Sequence, residues 1–276
     1  MNRPESKLIF IFSFFLFCCE ISHALPSFQR LWERKYGYKT SCMLCHSKGG
    51  GSQLGAYGED FQRFGMNPKA FELIEKRDSD NDGFSNIAEI KAKSNPGDPR
   101  STPEKPTEWL SQIRDSALPI DELKTIFPAA KKFSLLEGTL FPDQIKSIEK
   151  ILNDKLSESD AVPTFYFAVD DKQARTGVAL FSTSSKNSEK LIVGIGADLT
   201  GKITNVVLIK NKLNDALKDG KFLAQFKGKN SEASLQIKKD IQPASADLIS
   251  ESTDVAETVK KSLLIISGVF NTEKKL

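Results

Sequence analysis

Cys42, Cys45 and His46, set side by side in "KTSCMLCHSKGGG", carry the most specific chemistry in this chain. The remaining cysteines, Cys18 and Cys19, and the other histidine, His23, all lie in the first two dozen residues. Cys-x-x-Cys-His is the spacing of a covalent c-type haem. Two thiols so placed can each form a thioether with one vinyl group of the same porphyrin, and the adjacent His comes beneath the iron as proximal ligand. The alternative use of the two cysteines, a thioredoxin-like redox pair, needs a βαβ setting. A zinc site would need more ligands than the chain supplies. One motif implies one haem c. For the sixth iron ligand the candidate is Met66, in "FGMNPKAF", because Met43 lies inside the attachment loop. A Met/His pair raises the haem potential and suits electron transfer. The other readings of Met66 are simple core packing and a five-coordinate iron.

A second constellation follows at "DSDNDGFSNIAE", Asp78 to Glu89. Read as a twelve-residue calcium loop, Asp78, Asp80 and Asp82 fall at positions 1, 3 and 5, and Gly83 at the sharp turn of position 6. Phe84 offers its backbone carbonyl at position 7, Asn86 stands at 9, and Glu89 takes the bidentate position 12. Position 8 is Ser85, where paired EF-hands carry an aliphatic residue, and no second loop is visible. The segment resembles the solitary Asp-rich calcium loops of exported bacterial proteins. A structural Ca²⁺ is expected, with a solvated acidic turn as the alternative. The metal ligands expected overall are therefore His46 and Met66 for iron, and Asp78, Asp80, Asp82, Phe84, Asn86 and Glu89 for calcium.

These sites must be positioned by elements, and the chain supplies them in two styles. Arg3 and Lys7, the apolar run "LIFIFSFFLFCC" and the small-x-small "SHA" read as a signal peptide over residues 1–24, removed on export to the periplasm or beyond. Residues 25–100 then read as a small, mainly helical haem domain. "FQRLWERKYG" is an aromatic-bearing helix, and "NPKAFELIEKR" and "NIAEIKAKS" are helices flanking the calcium loop. With its motif, this unit resembles small bacterial monohaem cytochrome c domains. "SNPGDPRSTPEKPTEW", Ser94 to Trp109, with four prolines, marks a linker placed at residues 101–114. Residues 115–276 read as α+β with an antiparallel sheet. "TFYFAVDD" and "TGVALFSTS" are strands, and "KLIVGIGADLTGKITNVVLIK" is a hairpin turning at "LTGK". In the closing helix, Val255, Val259, Leu263 and Ile266 share one face. Gly194 and Gly196 are too little for a phosphate loop, because no helix follows them. The net charge of +3, with lysines dispersed among acids, gives no nucleic-acid surface.

Residues from about Phe127 to Phe270 resemble the FMN-binding domain of the C subunit of sodium-translocating NADH:quinone reductase. The likeness rests on the hairpin "VGIGADLTGKITNVVLIKN", on "FLAQFKGK" and on "DLISEST". It implies FMN on Thr253 through a phosphoester, with Asp247 and Ser250 completing the motif and an exported flavin transferase attaching it. Glu251 and Ser252 depart from the family's Gly-Ala, and Asp254 adds a further charge. The expected function is an exported electron carrier relaying between haem and FMN, rather than a substrate-turnover enzyme. Its partners would be redox proteins, with a membrane quinone system as one class, and the haem-maturation and flavin-transferase machinery. One alternative is a haem-only cytochrome whose second domain has lost flavin and serves as an interaction module. Another is a flavin reductase, for which an arginine such as Arg175 could serve as proton donor, although nothing singles it out.

Overall fold

The computed structural model describes residues 26–47, 52–112, 118–184, 191–209 and 214–270. The expected signal peptide lies outside the described residues, as does the end of the expected linker from residue 113.

The first part is helical. α1 (Pro26–Tyr36) opens on a proline, whose fixed φ suits a first helical position. Phe28, Leu31 and Trp32 recur at helical spacing and are buried. α2 (Ala56–Arg63), α3 (Pro68–Ile74) and α4 (Asn86–Ala92) follow. Asn67 caps α3 by accepting from the Ala70 amide, and Lys93 ends α4 in the left-handed conformation. Tyr57, Phe61, Phe71, Ile74 and Ile90 close one apolar cluster around Trp32.

The second part is α+β. α5 (Ile120–Ile126), β1 (Lys132–Glu137) and α6 (Pro142–Leu152) lead into β2 (Thr164–Val169), β3 (Arg175–Thr183), β4 (Ile192–Asp198) and β5 (Ile203–Ile209). Two short helices, α7 (Asp215–Lys218) and α8 (Gly220–Ala224), precede the long α9 (Ile249–Phe270). The five strands form one sheet in chain order, every neighbour antiparallel. No βαβ unit is therefore formed among them, which removes the setting that a thioredoxin-like Cys42–Cys45 pair requires. Phe165, Phe167, Leu180, Val193 and Ile195 pack with Val255, Val259, Leu263 and Ile266 of α9. Each of these α9 side chains stabilises by about 1.5–3 kcal/mol through burial. Tyr166, Ala168 and Ala179 instead pack with Leu123 and Ile126 of α5. Because both faces are covered, β2 is buried along its whole length.

The Gly-x-Gly of β4 has a packing role. A Cβ on Gly196 would stand 2.1 Å from Ile126 Cγ2, so glycine there lets α5 lie against the sheet. β1 carries little signal in the sequence. It is an edge strand, and its "KFSLLE" is only partly buried at Phe133 and Leu135.

The two parts touch. Arg30 of α1 is 9% exposed and donates to the carbonyls of Gly138 and Pro163, each at 2.9 Å, to Thr164 Oγ1 at 3.0 Å and to the Val162 carbonyl. Val162 and Trp109 join the helical cluster. Ser101, fully buried, accepts from the Asn95 and Thr107 amides. The described residues of the expected linker are thus packed at both Ser101 and Trp109. Arg30→Met should cost about 3 kcal/mol, since it leaves buried carbonyls without a charged donor. Urea unfolding followed separately by tryptophan fluorescence and by far-ultraviolet circular dichroism would check this. Transitions that separate in the variant are expected, and an unchanged midpoint would contradict the docking role.

Candidate functional site

Cys42 and Leu44 bound a single 3-10 turn that leads into Cys45 and His46. Ser41 starts it, its side chain accepting from the Met43 amide. The His46 amide donates to the Cys42 carbonyl at 3.0 Å, so the turn closes on itself. His46 is 6% exposed, and its Nδ1 lies 2.7 Å from the Ser52 carbonyl. A carbonyl can only accept, so Nδ1 is the donor in this contact, and in a neutral imidazole so protonated the lone pair lies on Nε2. This is the tautomer that an imidazole needs to bind a metal through Nε2. Neither Cys42 nor Cys45 is in a disulfide, and both are half-buried. Burial pushes the Cys45 thiol up to about 12, with Cys42 adding to the effect. It therefore stays protonated across the physiological range. Two reduced thiols and one oriented imidazole on a single turn fit covalent attachment of a haem.

The turn is held by backbone contacts on two sides. On one, Gly58 of α2 lies so close that a Cβ there would stand 2.1 Å from the Cys45 carbonyl oxygen, and the Gly55 amide donates to that oxygen at 2.8 Å. On the other, Asn95 Nδ2 donates to the Met43 carbonyl at 3.2 Å. Gly97 packs alongside, where a Cβ would stand 3.4 Å from the Leu44 carbonyl oxygen. Leu44 is buried in the aromatic cluster, and Cys45 and Met66 pack against that cluster. Met66 holds a left-handed φ of 48°, a costly conformation for this side chain, and its amide donates to the Phe61 carbonyl.

The acidic loop is also built as spaced. Carboxylate oxygens of Asp78, Asp80 and Asp82 all lie within 4.8 Å of one another. Gly83 has φ of 97° and Asn81 a φ of 62°, which turn the loop back on itself. Asp78 accepts from the Asp82 and Gly83 amides, and Asp82 Oδ1 from the Phe84 amide. Four buried oxygens are left without a hydrogen-bond partner: both of Asp80, Oδ2 of Asp82 and Oε2 of Glu89. Glu89 stands outside the 4.8 Å group yet is fully buried. Burial, and then the charges of Asp80 and Asp82, push its carboxyl up to about 9. Burial and Asp82 likewise push Asp80 up to about 6. Buried carboxylates without partners are costly, and a hard divalent cation is the natural compensation. Asn86 is turned elsewhere. Its Oδ1 accepts from the Ser79 amide, and its Nδ2 donates to the Ile74 carbonyl and Ser79 Oγ.

Asp60, which sequence reasoning passed over, ties α2 to this loop. It accepts from Arg77 Nε at 2.8 Å and Ser79 Oγ at 2.9 Å, and from Arg63 at 3.0 Å. Its only signal in the sequence is an acid placed among the buried positions of an amphipathic helix.

The residues expected to hold FMN are gathered at the start of α9 and have separate partners. Asp247, exposed, accepts from Ser245 Oγ at 2.7 Å, and Ser250 is exposed. Thr253, half-buried one turn into the helix, donates to the Ile249 carbonyl at 2.7 Å. Ser252, fully buried, accepts from the Ala244 amide and holds the incoming chain. Arg175 stacks its guanidinium over the Phe167 ring at 4.0 Å. No helix among the described residues is long and apolar enough to cross a membrane. A scan of protein-family models, a search of curated proteins and a search of solved structures each found no match to this chain.

Two consequences can be measured. Gly58→Ala should lower stability by about 1–3 kcal/mol, because the Cβ must displace the Cys45 backbone, and urea denaturation reads this directly. The loop makes a pH prediction. Glu89 titrates higher in the folded than in the unfolded chain, so the metal-free fold binds the extra proton. Its stability should fall as pH rises from about 4.5 to about 9. Thermal melts in chelator should show that slope, and calcium or Glu89→Gln should flatten it. A chelated protein that is insensitive to both pH and calcium would contradict this reading.

Proposed function

We propose that this chain is an exported electron-transfer protein carrying one c-type haem on Cys42, Cys45 and His46. The observation that supports it most is the His46 imidazole, held at Nδ1 by the Ser52 carbonyl, directly after two cysteines on one turn that form no disulfide. Bound haem supplies reversible one-electron chemistry. Cys42 and Cys45 would hold the group covalently, and His46 would supply the proximal nitrogen. Met66, packed against the same cluster as Cys45, is the proposed sixth ligand. Asp78, Asp80, Asp82 and Glu89, with the Phe84 carbonyl, would hold a structural Ca²⁺. The proposed partners are small redox proteins or a quinone-linked complex outside the cytoplasm. The charged, apolar and small-residue order of residues 1–24 supports export.

A relay to FMN on Thr253 is the second reading. Asp247, Ser250 and Thr253 all fall around the start of the long α9, where a helix N-terminus favours a phosphate. Against it stand the carboxylates of Glu251 and Asp254, together with the bond from Thr253 to Ile249. Without flavin, the sheet unit would serve as a rigid docking partner for the haem unit through Arg30.

Electrochemistry on the full chain, produced with haem-maturation and flavin-transferase machinery, tests both readings. One reversible one-electron wave is expected, and Met66→Leu should shift its midpoint downward. A chain with no reversible wave would sink electron carriage. A further flavin wave, abolished by Thr253→Ala, would establish the relay.

A further inference from the structure

Helix α4 spans the distance between the two proposed sites. Glu89, near its start, is fully buried with Oε2 unpartnered beside the acidic loop. Ser94, just past its end, is also fully buried. Its amide and hydroxyl donate to the Glu89 carbonyl at 3.0 and 3.3 Å, and the hydroxyl lies 3.5 Å from Glu89 Oε1. Asn95 follows at 3% exposure and has all its polar groups committed. Its amide donates to Ser101 Oγ, its Oδ1 accepts from the Gly97 amide, and its Nδ2 donates to the Met43 carbonyl inside the attachment turn. A chain of polar contacts thus leads from the buried Glu89 carboxyl to Met43, one of the two residues between Cys42 and Cys45. α2 runs a second connection, with Asp60 on Arg77 and Ser79 at one point and Gly58 against Cys45 at another.

We propose that α4 is a strut through which cation occupancy of the loop at 78–89 sets the conformation of the attachment turn at 42–46, with Asn95 as the positioning residue. This rests on the cation reading given above. Without the ion, the buried oxygens of Asp80, Asp82 and Glu89 lack a partner, and the N-terminal half of α4 is held less firmly. The cation reverses that. Glu89 is drawn in, Ser94 is fixed on it, and Asn95 is held in reach of Met43. Because Asn95 lies in neither site, its effect on the turn is separable from cation binding and from attachment.

Calorimetric titration with Ca²⁺ and hydrogen-exchange mass spectrometry of the peptide containing residues 41–47, both on the full chain, test this. Calcium should slow exchange in that peptide on the order of tenfold relative to chelator. Asn95→Asp keeps the side-chain shape but removes the donor. It should bind Ca²⁺ with affinity within about threefold of the parent while losing most of the calcium-dependent protection at 41–47. Asn95→Gln keeps the donor on a longer stem and should recover part of it. Calcium binding with no change at 41–47 in the parent would overturn the strut while leaving the cation site standing. Protection retained in Asn95→Asp would overturn the role of Asn95. The absence of any calcium heat would overturn the cation reading and the strut with it.

Discussion

The turn from Cys42 to His46 is held on two sides by neighbouring segments. Gly58 meets the Cys45 carbonyl from α2, and the 94–97 turn meets the Met43 and Leu44 carbonyls from beyond α4. Everything specific about the helical unit follows from that constraint. A turn with two thiols and an imidazole can present them together only if its short 3-10 geometry is held from outside, because a few residues of 3-10 helix have little stability alone. α2 and α4 provide the hold, and both are anchored in turn on the acidic loop. Local chemistry at Cys42 to His46 and local charge at Asp78 to Glu89 are therefore parts of one packed body.

That body extends into the sheet. Arg30 is buried on the side of α1 away from Phe28, Leu31 and Trp32, where a charged residue is expensive unless it is bonded. Four oxygen acceptors from residues 138–164 meet its two terminal nitrogens, and its Nε stands 4.0 Å from Glu137. The sheet itself is a simple meander buried on both faces, with glycine where α5 presses on β4.

What was legible in the sequence was what is set by spacing along the chain. The Cys-x-x-Cys-His turn, the alternating Asp residues with Gly83, the β4–β5 hairpin and the apolar face of α9 are all short-range patterns, and each appears where its period places it. What was illegible depends on distant partners. Arg30 looks like a surface residue of an amphipathic helix until the carbonyls a hundred residues away are known. Asn95 looks like a loop residue beside a proline, and Asp60 like an ordinary helix acid. Asn86 matched a ligand position by count, yet its amide is consumed by Ser79 and Ile74. β1 was missed because an edge strand buries too few side chains to show alternation. The family likeness of residues 127–270 rested on short motifs, and the antiparallel sheet bears out only its coarse α+β character.

The most direct test is the intact mass of the full chain, measured under denaturing conditions after production with haem-maturation machinery. Covalent attachment through Cys42 and Cys45 predicts a mass raised by one haem that survives denaturation and is lost in the Cys42→Ser, Cys45→Ser double variant. A chain that emerges at its bare polypeptide mass, with both thiols still open to alkylation, would contradict the account at its centre.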